Sequence, residues 1–145
     1  MQNDGAFMIR PANTEDTKAL EMLFMLTRQH TFANRNPGEF KIGDYQKSTA
    51  EDEVWVAEVN GIIVGFVSIY VADNFIHNLF VLPAFHARGF GVQLLQMAEN
   101  HLLRPMTLKI AMDNLAACGF YEKYGWYEYS VHSDEPEPYL LYRKN

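Results

Sequence analysis

The segment His86-Ala87-Arg88-Gly89-Phe90-Gly91 places two glycines between an apolar run and a helical pattern. Glycine lets a ligand approach the backbone closely. The first-turn N–H groups of a helix have no internal partners, and the helix dipole is positive there. Those properties suit a phosphate or pyrophosphate, and they also describe a plain glycine turn entering a helix. The segment lacks the Lys-Ser/Thr pair that serves a terminal phosphate and its magnesium, and it lacks the third glycine of a dinucleotide fingerprint. A second segment runs Asn114-Leu115-Ala116-Ala117-Cys118-Gly119-Phe120-Tyr121-Glu122-Lys123-Tyr124-Gly125-Trp126. By itself it is a short amphipathic helix with Tyr121 and Tyr124 packed in the core and their hydroxyls at its edge. His30, His101 and His132 are scattered without metal-ligand spacing. Cys118 fits a small buried helix residue rather than a nucleophile. Met22 and Met25 are expected to fill the core beside the first helix, and Glu51-Asp52-Glu53 to solvate a loop.

These segments need elements to hold them. Phe7 to Arg10 reads as a short strand stopped by Pro11. Asn13 and Thr14 are good N-caps, and Leu20, Leu23, Phe24 and Thr27 recur at helical spacing, so a helix runs to about Arg28. From Gln29 to Glu51 the signal is mixed. Asn36-Pro37-Gly38 is a turn, Ile42 and Tyr45 fit a short second helix, and the stretch reads as a partly irregular lid. Val54 to Val59 and Ile62 to Val71 are strands joined by Asn60-Gly61, the preferred pair for a type I′ hairpin. Asp73-Asn74 turns the chain into a strand from Phe75 to Leu82, closed by Pro83. A helix from Gly89 to Leu103 presents Gly91, Leu94, Leu95, Ala98 and Leu102 on one face before Pro105. Met106 to Met112 is a strand, and Asp113 or Asn114 caps a helix to Tyr124, with Gly125 as its stop. Trp126 to Val131 and Tyr139 to Tyr142 form a last pair of strands. Three hairpin-connected strands followed by strand–helix–strand crossovers imply an α/β (α+β) fold, a mixed sheet with helices on its faces.

Composition narrows the function. The chain has 145 residues, a length that predicts one domain spanning residues 1–145. Twelve basic residues against eighteen acidic give a net charge of −6, which argues against nucleic acid as a partner. One cysteine rules out an intrachain disulfide framework and a multi-cysteine zinc site. Met1-Gln2-Asn3-Asp4-Gly5 does not read as a secretory signal, and the most apolar stretch, Ile62 to Ala72, is too short for a membrane helix. The expectation is a cytoplasmic protein with no membrane partner.

Taken together, the two segments resemble the GNAT superfamily of acyl-CoA-dependent N-acyltransferases. The family's central motif is a Leu-x-Val strand, a proline nearby, then Gln/Arg-x-x-Gly-x-Gly/Ala opening a helix. Here it reads Leu79-Phe80-Val81-Leu82-Pro83-Ala84-Phe85-His86-Ala87-Arg88-Gly89-Phe90-Gly91-Val92. The next motif appears as Asn114, Ala117, Phe120-Tyr121, Lys123, Gly125 and Trp126. By motif and strand order the resemblance covers about residues 54 to 127.

It implies a GNAT-like, mostly antiparallel sheet of six to seven strands with helices on both faces. It also implies acetyl-CoA as cosubstrate, with no metal. Leu79, Phe80 and Val81 would pair by backbone with the pantetheine arm. The N–H groups of Ala87, Arg88, Gly89, Phe90, Gly91 and Val92 would hold the pyrophosphate, and Asn114 would contact the arm. Tyr121 would stand near the thioester sulfur as general acid, since a phenol of pKa near ~10 can protonate a departing thiolate or hydrogen-bond to it. A backbone N–H around Val81 would stabilise the developing oxyanion.

There are two departures. His86 replaces the usual Gln or Arg, which weakens one side-chain contact to the cofactor. Lys109 stands where some members place a glutamate base. His77 lies where others carry an acidic residue near the acceptor amine, and an imidazole suits a base there; a polar residue packed on the sheet is the other reading. The implied activity is transfer of an acetyl group to a primary amine of a small molecule or peptide, in a ternary complex. A non-catalytic acyl-CoA-binding sensor and an unrelated mononucleotide-binding domain are the alternatives. Asp134, Glu135 and Glu137 between the last two strands suggest a cationic acceptor, with a solvated acidic turn as the plain reading. A homodimer is left open.

Overall fold

A computed structural model describes residues 7–145. The reading of Met1 to Gly5 lies outside the described residues. The elements are β1 (Phe7–Pro11), α1 (Thr17–Thr31), α2 (Asp44–Thr49), β2 (Glu53–Val59), β3 (Ile62–Tyr70), β4 (Phe75–Val81), α3 (Phe90–Asn100), β5 (Met106–Ala111), α4 (Leu115–Lys123), β6 (Tyr127–His132) and β7 (Tyr139–Lys144), with short 3-10 turns between some of them. The seven strands form one sheet in the order β1-β2-β3-β4-β5-β7-β6. β4 and β5 are parallel, and every other neighbouring pair is antiparallel.

Strand alternation divides the core. Val56 and Phe66 face α1 and α2, packing on Leu20, Leu23, Phe24 and Tyr45. Ala57 and Val67 face the other way, into a cluster with Leu94, Leu95 and Ala98 of α3 and Tyr121 of α4. The four α1 residues at helical spacing are all buried. Asn60 and Gly61 both take positive φ, 52° and 80°, as a type I′ turn requires. This is the mixed sheet with helices on both faces that the sequence implies.

Three expectations need correction. Met22 is 43% exposed, on the outer side of α1, so the core beside that helix is built by its leucines and Phe24. The lid from Gln29 to Glu51 is more ordered than its mixed signal suggests. A 3-10 turn at Pro37–Glu39 carries an Asn36/Glu39 capping box, Phe32 stacks on Phe40, and Arg28 bonds Asp44 at 3.0 Å. Asp52 does not solvate a loop: its side chain is 1% exposed.

The feature that shapes the site is the junction of β4 and β5. They pair only at Phe75↔Thr107 and Ile76↔Leu108, although both strands continue. On the other side of β4, Ser68 pairs Asn78 while Ile69 pairs Ile76, which leaves His77 as an extra residue. Such a bulge bends its strand and raises the local twist. It falls where β4 leaves β5, and the sheet splays open from His77 onward.

Candidate active site

The splay forms a cleft of about 530 Å³, floored by the ends of β4 and β5 and walled by the start of α3 and by α4. Leu79, Phe80 and Val81 line it from β4. The Leu82 N–H bonds the Val64 carbonyl, so alternation turns the backbone groups of Val81 and Leu79 away from β3 and toward the cleft. There β5 has already diverged, and the β4 edge is free to accept an extended partner. One group is taken: His86 Nε2 lies 2.7 Å from the Val81 carbonyl. A carbonyl only accepts, so Nε2 carries the proton. His86 thus ties the glycine loop to the end of β4, and it lines the cleft.

Beyond β4, the chain enters α3 through two left-handed residues, Ala87 (φ 62°) and Gly89 (φ 85°). Backbone turned this way gathers successive N–H groups into a concave anion site. Ala87, Gly89, Gly91 and Val92 line the cleft. Phe90 offers it no side chain. The Phe90 ring is buried, 4.9 Å from Phe7, and the Arg88 guanidinium lies over Phe85. A Cβ on Gly91 would meet the Phe120 ring at 3.5 Å, so this glycine keeps open the gap between α3 and α4.

From the far wall, Asn114 caps α4 by accepting the Ala117 N–H at 3.2 Å. Its Nδ2 group is the part left for a ligand. Tyr121 is held between Phe120 and Trp126, with ring centroids at 5.1 and 5.9 Å. It reaches the cleft from a buried position, and burial pushes its hydroxyl well above the usual phenol value. Lys109 also lines the cleft, with Nζ over the Tyr139 ring at 4.5 Å.

His77 stands at the apex of the splay and lines both this cleft and a second cavity of about 420 Å³ beside Tyr70 and Asp73. Its Nδ1 lies 2.7 Å from Asp52 Oδ2, and its ring stacks parallel to Tyr70 at 6.0 Å. The structure thus brings His77, the β4 edge, the glycine loop, Asn114 and Tyr121 into one cleft. Sequence reasoning missed Asp52, whose flanking acidic residues made it look like part of a solvated run. It also missed the bridge between Arg35 and Asp113 at 2.8 Å, which links the segment after α1 to the start of α4. Nothing in the spacing of either pair signals contact.

A free strand edge, a nest of backbone N–H groups and a buried phenol along one cleft fit an extended arm, a pyrophosphate and a thioester, the parts of an acyl-CoA. Among the described residues, no cluster of three His, Cys, Asp or Glu side chains could hold a metal ion. No helix among them is long and apolar enough to cross a membrane.

Residues 19–126 match the family model described as the acetyltransferase (GNAT) family. The chain belongs to that family, and its general chemistry is acyl transfer. It is 27% identical over 133 residues to the uncharacterized N-acetyltransferase YhfO of Bacillus subtilis, a match spanning 83% of this chain and 89% of that protein. It is 34% identical over 96 residues to an uncharacterized N-acetyltransferase of Methanocaldococcus jannaschii, across 56% of this chain but only 42% of that protein. Among solved structures, the fold is similar to the PaiA N-acetyltransferase of Thermoplasma acidophilum in complex with coenzyme A. The TM-score is 0.78, with 18% identity over 97% of this chain and 99% of that one.

Proposed function

We propose that this protein is an N-acetyltransferase that moves the acetyl group of acetyl-CoA to a primary amine of a small molecule or peptide, by direct attack in a ternary complex. The observation that supports this best is the splay itself, which puts an unpaired strand edge, an anion-binding loop and Tyr121 along one cleft. The cosubstrate supplies a thioester carbonyl when bound. The Leu79 backbone and the Val81 N–H hold and polarise it, the loop from Ala87 to Val92 takes the pyrophosphate, and Asn114 steadies the arm.

His77 is the base in this reading. The acceptor nitrogen forms the C–N bond and releases its proton to His77 Nε2. The C–S bond breaks with its electron pair on sulfur, and the Tyr121 hydroxyl donates to that sulfur. Tyr121 regains its proton from solvent, and His77 loses its own to solvent.

The acceptor is cationic in the same reading. Asp134, Glu135 and Glu137 are exposed on the β6–β7 connection. Pro138 in that connection accepts the Met112 N–H at 3.3 Å, which sets it beside the end of β5 at the rim of the splay. A negative rim attracts cations and repels anions.

The test is a panel of polyamines, aminoglycoside-like amines, basic peptides, and neutral and acidic amines, assayed with acetyl-CoA for thiol release and acylated product. Cationic amines should stimulate release most. Tight CoA binding with no acyl transfer to any amine would replace this reading with a binding module.

A further inference from the structure

The Asp52 side chain is 1% exposed, yet the one hydrogen bond its carboxylate makes among the described residues is the 2.7 Å contact from Oδ2 to the partly exposed His77 ring. Its other oxygen, Oδ1, is buried without a hydrogen-bond partner among the described residues. A carboxylate kept from water with one oxygen unpaired costs folding free energy. Stability alone does not account for it.

The surrounding structure nonetheless fixes it in place. Asn78, the residue after His77, donates from Nδ2 to Ser48 at the end of α2 and to Ser68 on β3, both at 2.9 Å. The Asp52 N–H then bonds the Thr49 carbonyl at 3.0 Å. Thus β4 anchors α2, and the turn leaving α2 delivers Asp52 to the bulge residue. Stacking on Tyr70 and an edge contact from Phe75 at 4.9 Å restrict the imidazole further.

We propose that Asp52 is a positioning residue for His77, holding the imidazole in the tautomer whose Nε2 is free to accept the proton of the acceptor amine. A carboxylate only accepts, so the proton between the two groups sits on Nδ1. That leaves the lone pair on Nε2. The role rests on His77 being the base in the proposed acetyl transfer. The other side chains of Lys, Asp and Glu that line the two cavities His77 borders are Lys47, Glu51 and Asp73 on one side and Lys109 and Lys123 on the other.

The contact can be tested without turnover. Long-range nitrogen–proton NMR of the imidazoles in the full chain reports the tautomer of His77. The neutral imidazole of the wild type should carry its proton on Nδ1, and Asp52→Ala should show a mixture. Thermal midpoint should hold or rise in Asp52→Ala, because the substitution removes a buried, half-satisfied charge.

With acetyl-CoA and the best amine, Asp52→Ala should lower kcat by about 10- to 100-fold, as expected when a reacting group loses its aim. KM for acetyl-CoA should be unchanged, and Asp52→Asn, whose amide oxygen can still accept from Nδ1, should recover part of kcat. A wild-type His77 with its proton on Nε2 would overturn the proposal whatever the activity. So would normal kcat in Asp52→Ala when His77→Ala is slow. A His77→Ala enzyme of normal kcat overturns instead the base role that the proposal rests on, and the tautomer result tells the two failures apart.

Discussion

The hydroxyl of Tyr121 enters the cleft from a ring packed on Phe120 and Trp126, and burial raises its pKa. The direction of that shift matters for mechanism. A buried phenol stays protonated throughout the range in which the protein works, so it is always ready to donate. It also gives its proton up less readily than a free phenol. In the proposed reaction it would serve a departing thiolate whose own basicity rises where the bound cosubstrate excludes water. Tyr121→Phe should therefore leave CoA affinity intact and lower kcat by up to about 10²–10⁴-fold. The pH profile of the wild type should show no alkaline fall assignable to this residue. Near-normal kcat in Tyr121→Phe would leave solvent to protonate the thiolate. At this scale the sequence was a partial guide. The segment around Tyr121 read by itself only as a short amphipathic helix, and its role came from the resemblance carried by Asn114, Ala117, Phe120-Tyr121, Lys123 and Gly125 together. Asp52 was not legible, since its burial depends on Asn78 anchoring α2 from 30 positions away in the chain.

The elements hold the site by close approach and by caps. Gly65 on β3 lies where a Cβ would stand 2.9 Å from the Phe80 carbonyl, 3.1 Å from Val81 and 3.3 Å from Leu94. The nearest neighbour is backbone of the strand that forms the cleft floor, so it cannot rotate away. Gly65→Ala should destabilise by about 1–3 kcal/mol in denaturant melts and weaken CoA binding by displacing β4.

The entry to α1 is set by Arg10, which bonds Asp16 at 2.8 Å and Glu58 at 2.8 Å, while Asn13 and Asp16 form a capping box. The Arg10 hydrogen bonds, then the Asn13 N–H, hold the Asp16 carboxyl below its usual range. A depressed folded pKa gives stability that is full above the unfolded value of about 3.9 and is lost as pH falls through the lower, folded value. Asp16→Asn should cost roughly 1.5–3 kcal/mol at neutral pH and flatten the acid limb of the melting curve. A variant that melts like the wild type across both ranges would contradict this.

Element order, the hairpin at Asn60-Gly61 and the buried face of α1 were readable because each depends on local periodicity or turn chemistry. The splay was not, because it comes from one extra residue in the β3–β4 register, which no pattern in the β4 sequence announces.

The chain carries a net charge of −6, and three of its carboxylates are exposed on the β6–β7 connection, whose Pro138 carbonyl accepts the Met112 N–H just past β5. Changing Asp134, Glu135 and Glu137 to their amides should raise KM for the best cationic acceptor and weaken its salt dependence, with KM for acetyl-CoA unchanged. An anionic or apolar amine as best substrate would remove the rim from the account.

In the proposed function, the splay between β4 and β5, entered past α3 and α4, is the acyl-CoA site. Gly91 tests it most directly. Its added Cβ would make only ordinary contact with Phe120, so Gly91→Asp should fold and melt like the wild type. Its carboxylate would nonetheless stand in the gap beside the anion-binding loop. Calorimetric titration of CoA should give clear binding to the wild type and affinity roughly tenfold or more weaker in Gly91→Asp, a loss of at least about 1.4 kcal/mol. Equal affinity in the two proteins would show that the cofactor binds elsewhere.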